Sequence, residues 1–177
     1  LWHIPTGTYL NLNNPKPSAN DKFGYAVAIS GDYAVVGALY EDETDTNSGY
    51  AYVYRVSTGA RIQSIENPNT YSTPASDHFG ESVAISDNKI IVGASGEKST
   101  TGPWSYTTGI SSGAVYIFSI NEDAGNVTFP LVRTITDVNA YGTSMYDYFG
   151  SAVAMYEDRV IVGAYSEDAD NSDNEGK

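Results

Sequence analysis

The sixteen residues FGYAVAISGDYAVVGA at 23–38 return as FGESVAISDNKIIVGA at 79–94 and as FGSAVAMYEDRVIVGA at 149–164. A chain that writes one pattern three times folds into copies of one unit, and a unit this short buries its apolar faces only against its neighbours. The Phe-to-Phe spacings are 56 and 70 residues. The difference lies in the loops, where added length costs little closure entropy.

Each copy reads as antiparallel β-structure. YAVAIS and its counterparts form a first strand, rich in Val, Ile, Tyr and small residues. A tight turn follows at Ser30-Gly31-Asp32, Ser86-Asp87-Asn88 and Tyr156-Glu157-Asp158; these residues tolerate positive φ or bond their own backbone. AVVGA, KIIVGA and RVIVGA form a second strand. After a polar loop come a third strand, GYAYVYRV (49–56) and GAVYIFSI (113–120), and a fourth, ARIQSI (60–65) and LVRTIT (131–136). No stretch of ten residues holds a helical period. The strands are apolar on both faces, as in a covered sheet. The expected fold class is therefore all-β, with four-stranded antiparallel meanders stacked radially as the blades of a β-propeller.

The ends do not contain whole blades. LWHIPTGTYLNLNNP (1–15) aligns with VYRVSTGARIQSIENP (53–68), Thr-Gly at the hairpin and Asn-Pro at the exit. The expected organisation is half a blade at 1–22 (strands three and four), a full blade at 23–78, a second full blade with a long insertion at 79–148, and half a blade at 149–177 (strands one and two). Open strand edges at both ends invite pairing with another chain. Three explanations stand: a cut piece of a larger propeller, one unit of a head-to-tail assembly whose copies complete each other's half blades, or a stretch of a longer repetitive protein. The start at Leu1-Trp2-His3-Ile4, without Met or a signal-like segment, reads as a processed or excised piece.

The repeated residues resemble the FG-GAP repeat, the blade of integrin α-subunit propellers and of many secreted microbial and algal proteins. The resemblance rests on Phe23-Gly24, Gly37-Ala38 and Gly49 to Tyr54; on Phe79-Gly80, Gly93-Ala94 and Gly113 to Phe118; and on Phe149-Gly150 and Gly163-Ala164. The proline of the family name is replaced by Leu39, Ser95 and Tyr165. Physically, Phe is expected to wedge between blades, the following Gly to permit close approach or unusual φ, and Gly-Ala to end the second strand where a larger side chain would strike the next blade. Asp21, Asp77 and Asp147, each two residues before the Phe, read as a turn or cap. The resemblance implies an extracellular or cell-surface protein with an adhesive or structural role. The alternative is a propeller fragment that binds a protein or glycan ligand.

The resemblance also raises Ca²⁺, which the family binds through a D-x-D-x-D-G loop between strands one and two. Here those loops are tight turns with one or two acids, too few for the six to eight oxygens that Ca²⁺ takes. Acid gathers instead after Gly-Ala: Glu41, Asp42, Asp45 and Asn47 in the first copy, and Glu167, Asp168, Asp170 and Asp173 in the third. Oxygen side chains alternating in a Gly-ended loop suit a hard cation, so weak Ca²⁺ binding is expected there, against the simpler alternative of a solvated acidic rim. The second copy keeps only Glu97 and adds Lys98. Its long loop carries Trp104 and Tyr106, candidates for stacking on sugar rings. Asn126-Val127-Thr128 is a glycosylation sequon.

The net charge of −13 and pI near 4.2 argue against nucleic-acid binding, which needs a basic face, and against docking on anionic lipid. They suit a soluble protein, a cation binder or a protein of salty surroundings. No membrane-inserted segment is expected, and with no cysteine there is neither a disulfide nor a thiolate metal site. His3 and His78 have no catalytic company, and no phosphate loop, nucleophile elbow or zinc spacing occurs. The expectation is a protein that is not an enzyme and whose partners are other copies of itself or further blades of the same longer chain.

Overall fold

A computed structural model describes residues 1–42, 46–69, 75–98, 111–137 and 146–166. Within them all regular structure is β. A first blade contains β3 (Phe23–Ser30), β4 (Tyr33–Ala38), β5 (Tyr50–Arg55) and β6 (Arg61–Glu66). A second contains β7 (Phe79–Ser86), β8 (Lys89–Ala94), β9 (Ala114–Ser119) and β12 (Leu131–Thr136). Both are antiparallel meanders with neighbours in chain order, β3-β4-β5-β6 and β7-β8-β9-β12. A hairpin of β13 (Phe149–Tyr156) and β14 (Arg159–Ala164) repeats the first two strands once more.

The turns have the backbone that the sequence asks for. Gly31, Asp87 and Glu157 sit at φ of 55°, 50° and 53°, a geometry that matches the right-handed twist of the flanking strands. Each first strand is bulged after its Phe, with the register shifting between Phe23 and Val27, Phe79 and Ser82, and Phe149 and Ala152. The Gly after each Phe lies in this bulge, Gly80 at φ 90°.

At the N-terminus, β1 (Trp2–His3) and β2 (Thr8–Tyr9) form an exposed hairpin. Its turn copies that of the first blade: Gly7 N–H donates to His3 C=O at 2.9 Å, as Gly59 N–H donates to Arg55 C=O at 2.8 Å. A further hairpin, β10 (Asn121–Asp123) with β11 (Asn126–Thr128), is inserted between β9 and β12, in a stretch to which the sequence pattern assigned no strand. Ala124 and Gly125, at φ of 48° and 83°, make its turn.

The blades stack face on face, and stacking builds the core. Cross-strand register puts Val35, Ala51, Val53 and Ile65 on one face of the first blade, called trailing because the second blade follows it. That face meets the leading face of the second blade: Phe79, Val83, Ile85, Ile90, Val92, Tyr116 and Phe118. The trailing face of the second blade, with Ala84, Ile91 and Val115, in turn meets Val153, Met155, Val160 and Val162 of the last hairpin.

Candidate functional site

The contact between blades is close because glycine makes it so. A Cβ on Gly37 would lie 1.9 Å from the carbonyl oxygen of Gly80, and one on Gly93 would lie 2.0 Å from that of Gly150. Neither approach tolerates a side chain. Phe79 is fully buried and packs on Tyr116 and Phe118 at centroid distances of 5.7 and 6.3 Å, inside the same cluster that holds the first blade's trailing residues. The expected wedge role of Phe and the expected crowding at Gly-Ala are thus both present. Backbone bonds stitch the junctions in the same way twice: Phe79 N–H to Ser48 C=O at 3.0 Å, and Phe149 N–H to Ser112 C=O at 2.9 Å.

The inserted hairpin straps the first junction. Val127, Phe129 and Ile120 join the interblade cluster. Tyr33 of the first blade donates its hydroxyl hydrogen to Glu122 Oε2 at 2.6 Å, and Arg55 donates to Glu122 Oε1 at 3.2 Å while also bonding Asp32 at 3.1 Å. These bonds hold the Glu122 carboxyl below the usual range, the Tyr33 bond most. Asn126, the sequon asparagine, is exposed on β11.

The same faces are uncovered at the ends of the stack. Val83 is 9% exposed, but its counterpart Val27 is 68% exposed; Ile91 is fully buried, but its counterpart Ile161 is 74% exposed. On the first blade, Leu12, Phe23 and Val56 cover β4 and β5, and the β3 edge with Tyr25, Val27 and Ile29 stays open. Beside it lies an apolar groove of about 500 Å³ lined by Trp2, Tyr9 and Leu10 of the N-terminal segment and by Ile29 and Val56 of the blade. Trp2 and Tyr9 stack there at 5.9 Å. On the last hairpin the open trailing face carries Ala154, Tyr156 and Ile161.

A second repeated feature is a buried polar node at each blade junction. In the second blade it joins Asp77 and Glu97, 0% and 4% exposed. Asn67, just past β6 of the preceding blade, donates to Asp77 Oδ2 at 2.9 Å and to Glu97 Oε2 at 3.2 Å. Asn69 donates to both carboxylates, and Tyr116 donates its hydroxyl hydrogen to Glu97 Oε2 at 2.9 Å. The Lys98 ammonium donates to Asp77 Oδ1 at 3.3 Å and to Ala75 C=O at 2.7 Å. Burial, and next the charge of Asp77, push the Glu97 carboxyl up to about 8; burial raises Asp77 too, against the pull of Lys98.

The first blade repeats this frame. Asp21 and Glu41 are 3% and 4% exposed. Asn14 donates to Asp21 Oδ2 at 3.2 Å, and Tyr52 donates to Glu41 Oε2 at 3.0 Å. Burial raises the Glu41 carboxyl and the Tyr52 phenol. The backbone agrees at all three junctions: Asp21, Asp77 and Asp147 C=O accept from Tyr40, Gly96 and Ser166 N–H at 3.2, 3.1 and 3.3 Å. The Asp before each Phe is therefore more than a turn or cap. It is a buried carboxylate, and the residue after it (Lys22, His78, Tyr148) takes a φ near +56° in every copy, at 57°, 57° and 55°. The expectation missed it because the side chains that cover it stand 7 to 21 residues away, in the loop before it and after the second strand, where no local turn pattern links them.

The structure separates the predicted metal ligands of the first loop. Glu41 turns into its own blade, whereas exposed Asp42 accepts from Asn47 N–H at 2.6 Å. Among the described residues no three Asp, Glu or His side chains converge as a metal site. Asp45, Glu167, Asp168, Asp170, Asp173, Trp104 and Tyr106 lie outside the described residues. Among the described residues no helix is long and apolar enough to cross a membrane.

The FG-GAP repeat matches this chain at residues 15–54, 73–118 and 136–177, which together make up well over half of its length. Each match starts near the polar node's first residue and runs through the Phe-Gly bulge. No curated protein matches the chain at a significant level.

Proposed function

The chain belongs to the FG-GAP repeat family, and from that premise we propose that it is a structural or adhesive repeat protein whose blades assemble head to tail, the uncovered trailing face of one copy seating on the uncovered leading face of the next. The observation that carries this reading is the contrast at equivalent positions: Val27, Ile29 and Ile161 are open where Val83, Ile85 and Ile91 are closed by a neighbouring blade. The groove between the N-terminal hairpin and β3 is lined by Trp2, Tyr9 and Ile29, and in this reading it takes the strand pair that completes β1 and β2. A β13–β14 hairpin has that strand content and shows an apolar face. Isolated two-stranded sheets are marginal in water, and a third strand or a packed face stabilises them.

FG-GAP repeats are typical of extracellular or surface proteins and are generally non-enzymatic; we place this chain outside the cell, or on its surface, and without catalysis. The test uses two variants. Val27→Asp spoils only the leading face and Ile161→Asp only the trailing one. Sedimentation of the wild-type chain should show concentration-dependent oligomers, and each variant alone should remain a folded monomer. Their mixture retains one good pair of faces and should stop at dimers. A wild-type chain that stays monomeric at every concentration overturns assembly between copies and assigns the open faces to further blades of a longer chain.

A further inference from the structure

We propose that β14 of one copy pairs antiparallel with β1 of the next in a single register, Arg159 opposite His3 and Val160 opposite Trp2, and that Trp2 thereby becomes the aromatic partner of Phe149. This deepens the head-to-tail reading above and rests on it. The two full blades supply the template. In each, the second strand pairs with the third: Tyr33 opposite Arg55 and Ala34 opposite Tyr54 in one, Lys89 opposite Ser119 and Ile90 opposite Phe118 in the other. Among the described residues β14 has only β13 beside it, and β1 has only β2. Arg159 opens its strand as Tyr33 and Lys89 open theirs, and the alignment of 1–15 with 53–68 puts Trp2 and His3 in the places of Tyr54 and Arg55. An unpaired strand edge recruits a strand from another chain, and backbone hydrogen bonds hold the added strand.

Three observations converge on this register. The first is the Phe wedge. Phe23 meets Tyr54, and Phe79 meets Phe118, each edge to face at a centroid distance of 6.3 Å, a favoured arrangement of rings. Phe149 sits on a hairpin that has no third strand among the described residues, and Trp2, which holds the third-strand position, is 63% exposed. The second is the backbone. Val56 N–H donates to Asp32 C=O at 2.9 Å and Ile120 N–H donates to Asn88 C=O at 2.7 Å; Ile4 and Asp158 are the counterparts of these pairs. The third lies at the rim. Asp32 accepts from Arg55 at 3.1 Å, and Asp158 and His3 stand in the same two places, an acceptor facing a donor. The N-terminal hairpin is already seated for this contact. Leu1, the counterpart of Val53, lines one groove with Ile29, as Val53 shares one cluster with Ile85.

Because Val56 and Asp32 form a hydrogen-bonded pair, the next pair along the strands, and with it His3–Arg159, is of the other kind, whose Cα atoms stand about 4.5 Å apart, inside disulfide range. The chain has no cysteine of its own. His3→Cys and Arg159→Cys each change an exposed residue; the two variants are mixed under mild oxidation and read on non-reducing gels with peptide mass spectrometry. The expected product is a covalent dimer joined through positions 3 and 159, and a ladder of oligomers from a chain carrying both changes. Ile161→Cys, shifted by two residues on the same face, should link to His3→Cys at least about tenfold more slowly. In a Trp104→Phe background the emission of Trp2 should move to the blue as oligomers form, and emission that stays unchanged overturns its contact with Phe149. Equal linking of the matched and shifted pairs overturns the register. Cross-links confined to one chain overturn a second copy as the partner. Oligomers in sedimentation without the link between 3 and 159 leave the seating of faces in place and overturn the strand pairing, whereas a wild-type chain that stays monomeric overturns both.

Discussion

The junction between the two full blades and the open face of the last hairpin are built from the same strand pattern, yet one is closed and the other is not. Ile91 and Ile161 hold the same place in β8 and β14, and only the first is buried. The difference is supplied by the next blade and by β9, the third strand that flanks β8 and has no counterpart beside β14 among the described residues. Burial in this molecule is a property of a junction and not of a strand, which is the expected behaviour of a repeat whose stability is a sum of unit and interface terms.

The sharpest way to break that comparison is at the glycines. Gly93→Val places a side chain against the Gly150 carbonyl and should cost about 3 kcal/mol or more in urea unfolding, at or above the top of the usual range for core overpacking. Gly163→Val, the same change on the last hairpin, should cost much less, since the nearest atom to a Cβ there is the Ala152 side chain at 3.3 Å. Equal losses would mean that the crowding is internal to each blade. Next comes truncation: Ile91→Ala should lose about 2–4 kcal/mol by the same measurement and Ile161→Ala less than about 0.5 kcal/mol. In an assembled sample the Ile161 change should instead lower the oligomer fraction.

The nodes give a smaller, pH-dependent effect. Glu97 is raised in the folded chain from 4.5 to about 8, so between those values the folded state holds more protons than the unfolded one. Stability therefore falls as pH rises through that window. Glu97→Gln should flatten part of the slope in denaturation midpoints taken from pH 5 to 8. A slope unchanged by the variant would remove Glu97 as its source. The smallest effect belongs to the strap: Glu122→Ala opens exposed ion pairs and should shift the melt only at the edge of detection, and not at all in high salt.

The fold was legible because three copies average out local noise. The turn residues, the Phe-Gly bulge and the four-strand order are all written in residues close in sequence. The β10–β11 hairpin was less visible, since NEDAGNVT carries one apolar residue for five polar ones around its alanine and glycine, and its only strand signal is the Ala124-Gly125 turn. The nodes were not legible. An aspartate in a polar stretch ordinarily reads as exposed, and nothing local tells that Asn67 crosses from the preceding blade to cover Asp77. A signal did exist in the alignment of the copies: Asp before Phe, Glu after Gly-Ala and Asn before Pro recur together.

The two open faces are unlike each other. One presents Tyr25, Val27 and Ile29, the other Ala154, Tyr156 and Ile161, and the Phe wedge enters a junction only from the following side. A contact between unlike patches has no two-fold axis and repeats by rotation and translation. The molecule is thus an arrow. Under the proposed assembly each copy joins with a front and a back, and a copy blunted on one face acts as a terminator at one end of the row while leaving the other end free to grow.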